Sequence, residues 1–323
     1  MSKIITIIGA TGTQGGSVVS ALLHTNYTIR AITRNPSSRA AQSLAAKGVQ
    51  LLRADLHDPA ALTAAFAGTH AIFAVTNFFA GLSTHHDDDD DAVAAAMALE
   101  TQLGINIATA AAATPSLEHL VWSTLPDSAT NSAGAAVVPY YQSKQQVDAF
   151  IHTLPALLAK TTFLWVGWYS ANMLLPCFHP MAVCGTAGYL TLTNIDPATR
   201  IPLVGDERVN VGLVVRAVLQ QPAKTLPGRV VSAVTEYRAL GEVVAAFGRV
   251  KGVAVRCVRI AREEYRRLWP GLAELMDVSH YYFQLTDGRS FVQVGEEVVG
   301  VEELGVEGLV GVEEAFLRVE FMG

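Results

Sequence analysis

The chain has 323 residues, of which half are hydrophobic and 16% are charged, enough for one large α/β domain with a smaller lobe. Its net charge of −6 argues against nucleic-acid binding through a broadly basic surface. The three cysteines lack the spacing of a zinc site or a disulfide framework, and no apolar run approaches the roughly 18 residues of a membrane span, so we expect a soluble, cytoplasmic protein without a membrane partner.

The first predicted element is an isoleucine-rich strand, Lys3–Ile8, and because it begins so early we expect no signal peptide. A glycine-rich turn follows it, and apolar residues then recur at helical spacing from Val18 to Leu23. This context is typical of a dinucleotide-binding fingerprint, because the free N–H groups and the dipole at a helix N-terminus favour phosphate. An ordinary turn with coincidental glycines is the alternative. The turn residues expected to bind the cofactor are Gly9, Thr11, Gly12, Thr13, Gln14 and Gly15.

Strands and helices alternate through the rest of the first half, which predicts right-handed βαβ units and a doubly wound parallel sheet of the Rossmann type. The further predicted strands are Thr28–Thr33, Val49–Arg53, Ala71–Val75, Leu120–Ser123 and Phe163–Val166. The helices predicted between them are Ser37–Ala46, Pro59–Phe66 and Ala92–Ala113.

Regularity fades after Gly167. We therefore expect a dinucleotide-binding domain over residues 1–167, with later segments returning to its sheet, and a smaller mixed α/β substrate-binding lobe with an acidic tail over residues 168–323. The elements predicted here are strands Arg229–Ala233 and Val253–Val258 and helix Ala239–Arg249, with loops at Met173–Pro180 and Gly185–Gly188. The tail from Phe291 has eight glutamates and one arginine, and its pattern fits either a surface helix and strand or a mobile segment.

The end of the second predicted strand indicates the cofactor. An acidic residue at this position usually binds the ribose 2′-hydroxyl of NAD, whereas arginine accommodates the 2′-phosphate of NADP. Here the residue is Arg34, and no Asp or Glu precedes Asp55. The sequence therefore favours NADP(H), with Arg34 as the phosphate ligand. A solvated arginine at the start of a loop is the alternative.

Polar and aromatic residues follow the third and fourth predicted strands. Asp55 could accept a hydrogen bond from the adenine amino group, although either Asp55 or Asp58 could instead cap the next helix. The residues after the fourth strand are expected to contact the cofactor and the substrate. Their polar groups would border the cofactor ribose, and their rings would contact the nicotinamide or an aromatic substrate, unless the rings only pack within the protein. They are Thr76, Asn77, Phe78 and Phe79.

One predicted helix carries residues suited to acid–base chemistry. Tyr140 and Lys144 are spaced i,i+4 after Pro139, which suits the first turn of a helix, so both side chains are expected on one face. An ammonium beside a phenol favours phenolate and would lower the pKa of the tyrosine. Tyr140 is therefore the candidate proton donor, Lys144 the candidate ribose ligand, and Ser123 the group that orients a substrate carbonyl. The alternative is a surface helix with an incidental tyrosine and lysine.

Two charged segments are predicted to have no catalytic role. His85 and His86 precede five aspartates, Asp87–Asp91, and this segment fits a solvated loop that complements the next helix better than a metal site. The segment Arg249–Arg267 has seven basic and two acidic residues and fits a solvated face rather than a nucleic-acid patch.

Several of these segments together resemble the NmrA-like family, a branch of the atypical short-chain dehydrogenase/reductase superfamily. The resemblance covers roughly residues 3–260. Its motifs are Gly9-Ala10-Thr11-Gly12-Thr13-Gln14-Gly15, Thr33-Arg34-Asn35-Pro36, Asp55-Leu56, Ser143-Lys144, Trp168-Tyr169-Ser170-Ala171-Asn172 and Ile201-Pro202-Leu203.

The resemblance implies an NADP(H)-binding Rossmann fold with Trp168, Tyr169 and Asn172 near the substrate. Some members of the family resemble redox sensors or transcriptional co-regulators, and others are NADPH-dependent reductases of quinones, dyes or phenylpropanoid ethers, or tailoring enzymes. Sensor-type members generally lack the tyrosine four residues before the lysine, so Tyr140 favours a reductase of a small, aromatic or quinonoid carbonyl compound.

Two other functions stay open: a sensor that changes a regulatory protein partner with the NADPH/NADP ratio, and an isomerase or cyclase that keeps the dinucleotide as structure. A homodimer is compatible with either. One departure concerns the second lobe, where the family often has aspartate and this chain has Asn210.

Replacing Arg34 tests the cofactor prediction. We expect Arg34→Ala to weaken NADP binding far more than NAD binding, because only NADP carries the phosphate that the guanidinium would bind. Titration of both dinucleotides measures this, and equal loss for both would place Arg34 away from the 2′ position.

Overall fold

The computed structural model describes residues 2–82, 92–292 and 297–321, so the acidic segment His85–Asp91 lies outside the described residues. The strands within these ranges are β1 Lys3–Ile7, β2 Tyr27–Thr33, β3 Gln50–Arg53, β4 Ala71–Ala74, β5 His119–Thr124, β6 Thr161–Trp165, β7 Met181–Ala182, β8 Gly188–Thr193, β9 Arg200–Leu203, β10 Arg229–Ser232, β11 Glu236–Ala239, β12 Ala254–Arg259 and β13 Val298–Val299.

The α-helices within the same ranges are α1 Thr13–Leu22, α2 Arg39–Ala45, α3 Pro59–Ala65, α4 Phe78–Leu82, α5 Ala92–Ala112, α6 Ser128–Asn131, α7 Pro139–His152, α8 Pro155–Leu158, α9 Asn210–Gln220, α10 Pro222–Thr225, α11 Leu240–Lys251, α12 Arg262–Leu268, α13 Leu272–Thr286 and α14 Val312–Arg318. A 3₁₀ helix, Ser170–Leu174, overlaps the start of the predicted loop Met173–Pro180. No helix of the described ranges is long and apolar enough to cross a bilayer.

Eight of the described strands form one parallel sheet in the order β13-β10-β6-β5-β4-β1-β2-β3. Ile5 and Ile7 of β1 have no exposed surface, as expected for a β-branched strand covered on both faces. The connections change direction between β1 and β4, and in such sheets ligands bind in the crevice outside the carboxyl ends of the strands at this point. The predicted Rossmann-type sheet is confirmed.

The second half both returns to this sheet and builds a smaller lobe. Strands β10 and β13 extend the sheet beyond β6. The lobe contains an antiparallel pair, β9 with β11, and a mixed sheet in which β8 pairs with β7 and β12. The expected smaller α/β lobe is therefore present, although its strands β8, β9 and β11 were not predicted.

Helix α9 of the second half packs closely on helix α1. The hydroxyl of Ser17 donates to the carbonyl of Val209 at 3.1 Å and accepts from the N–H of Gly212 at 2.8 Å. A Cβ at position 212 would lie 2.1 Å from the carbonyl oxygen of Ser17. The helix that follows the glycine turn is therefore held in place by the part of the chain after residue 167.

The amide of Asn210 matches its hydrogen-bond partners in a way that an aspartate could not. Its buried Nδ2 donates to the carbonyls of Val204 at 2.7 Å and Val310 at 2.8 Å, and its Oδ1 accepts from the N–H of Val310 at 2.8 Å. A carboxylate would face two carbonyl oxygens without a proton to donate. The amide joins the start of α9 to the tail.

The described part of the tail is packed, and this decides between the two predicted possibilities. Strand β13 forms the edge of the main sheet, and buried Phe316 of α14 contacts the ring of Phe247 at 5.1 Å between centroids. Arg318 forms an ion pair at 2.6 Å with the buried Asp206. The described part of the tail thus belongs to the fold, with β13 in the main sheet and α14 packed on α11.

We expect Gly212→Ala to lower the free energy of unfolding by about 2–3 kcal/mol, because the added methyl group would force α9 away from α1. Urea unfolding measures the change. Gly16→Ala is the matched control: the nearest atom to its Cβ is a carbonyl oxygen at 3.6 Å, and alanine favours the helix. Equal stability of the two variants would contradict the close packing.

Candidate functional site

The glycine turn lies at the carboxyl end of β1 and has the conformation that a phosphate site needs. Gly9 adopts a φ of +76°, which favours glycine, and Gly15 packs so tightly that a Cβ there would lie 2.2 Å from the carbonyl oxygen of Gly9. Helix α1 begins at Thr13 without a side-chain cap, so its first N–H groups stay available to a ligand. Thr11, Gly12 and Thr13 are exposed in the crevice wall.

A chain of hydrogen bonds joins three predicted site residues. The hydroxyl of Ser123, at the end of β5, donates to Oε1 of Gln14 at 2.8 Å. The Nε2 of Gln14 then donates to the hydroxyl of Tyr169 at 2.6 Å. The glycine turn, the end of β5 and the segment after β6 therefore meet at one edge of the sheet.

Lys144 is buried on α7, and its ammonium group is fully bonded. It donates to Oε1 of Glu100 at 2.8 Å, to Oγ1 of Thr76 at 2.9 Å and to the carbonyl of Thr76 at 3.3 Å. Thr76 also donates its hydroxyl to Glu100 at 2.8 Å. Sequence reasoning missed Glu100; the available signal was one acidic side chain in an otherwise uncharged, alanine-rich helix.

Tyr140 belongs to an aromatic group with Phe78 and Phe79. The Tyr140 ring lies 6.0 Å from the ring of Phe78 and 5.6 Å from that of Phe79, and Phe79 is 41% exposed. The hydroxyl of Tyr140 donates to Oγ of Ser279 on α13 at 2.7 Å. This brings the predicted proton donor, the predicted substrate-contacting rings and the second lobe together.

The pKa of Tyr140 differs from the expectation. Burial raises the pKa of its phenol to about 12, and the hydrogen bond with Ser279 lowers it only in part. The predicted lowering by a neighbouring ammonium was wrong, because the ammonium of Lys144 is bonded to Glu100 and Thr76 while the phenol is directed at Ser279.

The other cofactor candidates lie at the carboxyl ends of β2, β3 and β4. Arg34 is exposed just after β2 and has no hydrogen-bond or ion-pair partner within residues 2–82, 92–292 and 297–321. Asp55 accepts a hydrogen bond from the N–H of His57, and Asp58, rather than Asp55, caps helix α3. The side chain of Asn77 accepts from the N–H of Phe79 as α4 begins.

The segment after β6 is anchored on β9. The N–H of Trp168 donates to the carbonyl of Pro202 at 2.6 Å, and its buried ring meets that of Phe178 edge-on. Asn172 lies in the following 3₁₀ helix, half-buried. The buried carboxylate of Glu207 accepts hydrogen bonds from the N–H groups of Ser170 and Ala171 and caps this helix. Glu207 was not predicted from the sequence.

Comparison with known proteins identifies the family of this chain. The model of the NmrA-like family matches residues 1–306. The chain belongs to the NmrA-like family. The NmrA-like family domain-containing oxidoreductase cpsB of Aspergillus campestris is 30% identical over 300 residues, which are 89% of this chain and 84% of cpsB.

Solved NmrA-like structures share the fold. NmrA, a negative transcriptional regulator solved in complex with NADP, has a TM-score of 0.73 at 23% identity, over 99% of this chain and 96% of NmrA. The NADPH-dependent quinone oxidoreductase QOR2 of Escherichia coli, complexed with NADPH, has a TM-score of 0.68 at 18% identity, over 97% of this chain and 99% of QOR2. Identities this low establish a common fold and no more.

A second buried acid of this NmrA-like chain lies on α7, one turn after Lys144. Asp148 accepts hydrogen bonds from Nε1 of Trp122 at 2.7 Å, from Oγ1 of Thr124 at 2.7 Å and from Nε2 of Gln145 at 3.0 Å. Burial raises the pKa of Asp148 to about 7, although the bonds from Thr124 and Trp122 and the charge of Lys144 lower it. Asp148 therefore ties α7 to β5 beside the site.

The raised pKa of Asp148 predicts a pH-dependent stability. The unfolded acid ionises near pH 3.8 and the folded acid near pH 7, so its contribution is complete below about pH 4 and is lost as the pH rises through 7. We expect this to lower the free energy of unfolding by about 4 kcal/mol across that window.

Comparison with Asp148→Asn isolates this effect. Buried His119 and His280, whose pKa values burial lowers to about 4, act in the opposite direction below pH 6.5, so the wild-type curve alone is not diagnostic. In urea unfolding from pH 4 to 8, the variant should lack the descending component, although its amide cannot accept all three donors and its stability is lower throughout. Parallel curves would contradict a raised pKa.

Proposed function

We propose that this protein is an NADPH-dependent oxidoreductase that reduces a small aromatic or quinonoid carbonyl compound. The observation that carries the proposal is a set of groups at the carboxyl ends of neighbouring strands around the switch point of the sheet: the uncapped N-terminus of α1, Ser123 bonded to Gln14, and Lys144 bonded to Thr76. The relatives named as NmrA-like oxidoreductases, such as cpsB, support the reaction class, and the NADPH complex of QOR2 supports the cofactor.

The residues at the turn fit a dinucleotide. A side chain on Gly15 would collide with the backbone of Gly9, and exposed Gly12 leaves the backbone open to a pyrophosphate. Arg34 supplies a cation without a protein partner among the described residues, as a 2′-phosphate requires. Lys144 would bind the nicotinamide ribose, and Thr76 and Asn77 would border it. Bound NADPH would supply a hydride.

The substrate side is aromatic. Phe78, Phe79 and Tyr140 form a cluster of edge-on and tilted rings that reaches the surface at Phe79, and Trp168 and Tyr169 come from the segment after β6. A planar quinonoid ring would pack on such a surface, because offset and edge-to-face contacts between rings are favourable. The position of Asn172 in the same segment supports its assignment to the pocket.

The pKa of Tyr140 favours reduction over oxidation. A phenol with a pKa of about 12 stays protonated at neutral pH, so it is a poor base for an alcohol. It can still give its proton to the more basic alkoxide oxygen that forms when a carbonyl carbon accepts a hydride. The phenolate is then reprotonated from solvent, and Ser123, once released from Gln14, would donate a hydrogen bond to the same oxygen.

A dinucleotide sensor is the second candidate, and one observation favours it. Each polar group of the predicted catalytic set is bonded within the protein: Ser123 to Gln14, Tyr140 to Ser279 and Lys144 to Glu100. Such bonding also suits a site that only holds the cofactor.

We expect Tyr140→Phe to lower kcat for quinone and aromatic carbonyl substrates by about a hundredfold, with unchanged NADPH binding, because only the proton donor is lost. NADPH oxidation measures turnover, and NADPH fluorescence measures binding. Tyr27→Phe is the matched control, because Tyr27 lies at the start of β2, at the opposite end of the strand from the cofactor crevice. Unchanged turnover in Tyr140→Phe would remove Tyr140 as the acid. Wild-type protein that binds NADPH and oxidises it with no compound of the panel would favour the sensor.

A further inference from the structure

Glu100 is the one charged side chain of helix α5, and only 2% of its surface is exposed. A carboxylate in an apolar interior is strongly unfavourable unless donors compensate for its lost hydration. The surrounding helix is alanine-rich and would bury an apolar residue at this position more easily. Its presence therefore calls for a physical explanation.

Three donors from two separate segments surround the carboxylate. Oε1 accepts from the ammonium of Lys144 and from the hydroxyl of Thr76, both at 2.8 Å. Oε2 accepts from the hydroxyl of Ser143, the residue before the lysine. The two carboxylate oxygens of Glu100 thus connect the loop after β4 to the middle of α7.

Stability alone explains this arrangement poorly. Buried ion pairs generally stabilise a fold no better than apolar side chains of similar volume. The network also lies where a ligand is expected rather than deep in the lobe, since Thr76 follows β4 at the switch point and Lys144 keeps a small exposed surface. The Glu100–Lys144 ion pair is therefore better explained by a role in holding the lysine at the ligand site.

We propose that Glu100 is the positioning residue for Lys144 and holds its ammonium group in place at the cofactor crevice. All three N–H donors of Lys144 are occupied, and the longest bond, 3.3 Å, goes to the carbonyl of Thr76. A ribose hydroxyl of NADPH can replace that bond while Glu100 retains the lysine. The inference rests on the proposed NADPH site, but it does not require turnover.

Other groups around the ammonium do not replace this role. Asp148 lies one turn further along α7, and its charge acts on Lys144 without a hydrogen bond between them. The ring of Trp122 lies 6.0 Å from the ammonium, and the phenol of Tyr140 is bonded to Ser279. Glu100 is therefore the direct counter-charge among the described residues.

A double-mutant cycle on NADPH binding tests the proposal. We expect Glu100→Gln and Lys144→Met each to weaken NADPH binding by about tenfold, and the double variant to bind about as weakly as Lys144→Met alone. Glu118→Gln is the matched control, since Glu118 forms an exposed ion pair with Lys3 and should leave binding unchanged. Additive losses, or a Glu100→Gln variant that binds NADPH like the wild type, would overturn the inference.

Replacement by the shorter acid separates positioning from mere structural support. Glu100→Asp retains a carboxylate that can pair with Lys144, so it should bind NADPH more tightly than Glu100→Gln. Equal losses in the two folded variants would contradict the proposal. If Glu100→Gln does not fold, Ser143→Ala removes only the donor to Oε2 and should weaken NADPH binding about two- to threefold; no loss there would also contradict it.

Because binding is read directly, the result does not depend on the reductase proposal. A protein that binds NADPH without oxidising it would refute the reductase while leaving the binding cycle informative. Failure of wild-type protein to bind NADPH at all would refute the proposed cofactor and this inference together, and it would do so before any variant is compared.

Discussion

The close contact of helix α1 with its two neighbours determines the geometry of this protein. On one side Gly15 lets the helix approach the turn after β1, where a Cβ would lie 2.2 Å from the carbonyl oxygen of Gly9. On the other side Gly212 lets α9 approach α1, where a Cβ would lie 2.1 Å from the carbonyl oxygen of Ser17. A helix held on both sides presents its free N–H groups to the crevice in a fixed direction, which is what an anion site needs.

The polar groups at the carboxyl edge of the sheet form a set that is bonded before any ligand arrives. Ser123, Gln14 and Tyr169 form one chain, and Thr76, Lys144 and Glu100 form another. Preformed bonds keep each group near its working position and limit the ordering that a ligand must bring about. Ligand binding would then exchange existing hydrogen bonds for new ones and would need little further ordering of the side chains.

Sequence patterns were sufficient for the parts of the fold that local chemistry determines. Buried parallel strands are short and β-branched, and the glycine turn has a fixed spacing, so β1 to β6 and the fingerprint were predictable. Strands β8, β9 and β11 were not predicted. In β8, Gly188–Thr193, leucine and threonine alternate over only four residues, and the threonines are buried while the leucines are half-buried, so hydrophobicity does not mark the buried face.

The positions of the candidate site residues could be predicted from the sequence, but their hydrogen-bond partners could not. Tyr140 and Lys144 were identifiable from their spacing, yet their environments depend on residues far along the chain: Ser279 lies 139 residues after the tyrosine, and Glu100 lies 44 residues before the lysine. Burial against α13 reverses the expected pKa shift of the phenol. Such pairings follow from packing of separate elements: the sequence marks Glu100 as the one charged residue of α5, but it does not identify the partner of that residue.

Transfer of deuterium from the nicotinamide would demonstrate hydride transfer by this protein. NADPH deuterated at C4 on the transferred face would be incubated with the protein and each member of a panel of quinones and aromatic aldehydes, and the products analysed by mass spectrometry. From an aldehyde, we expect an alcohol with one deuterium on the former carbonyl carbon. Recovery of fully deuterated cofactor beside unreacted substrate, for every compound of the panel, would contradict the proposed reduction.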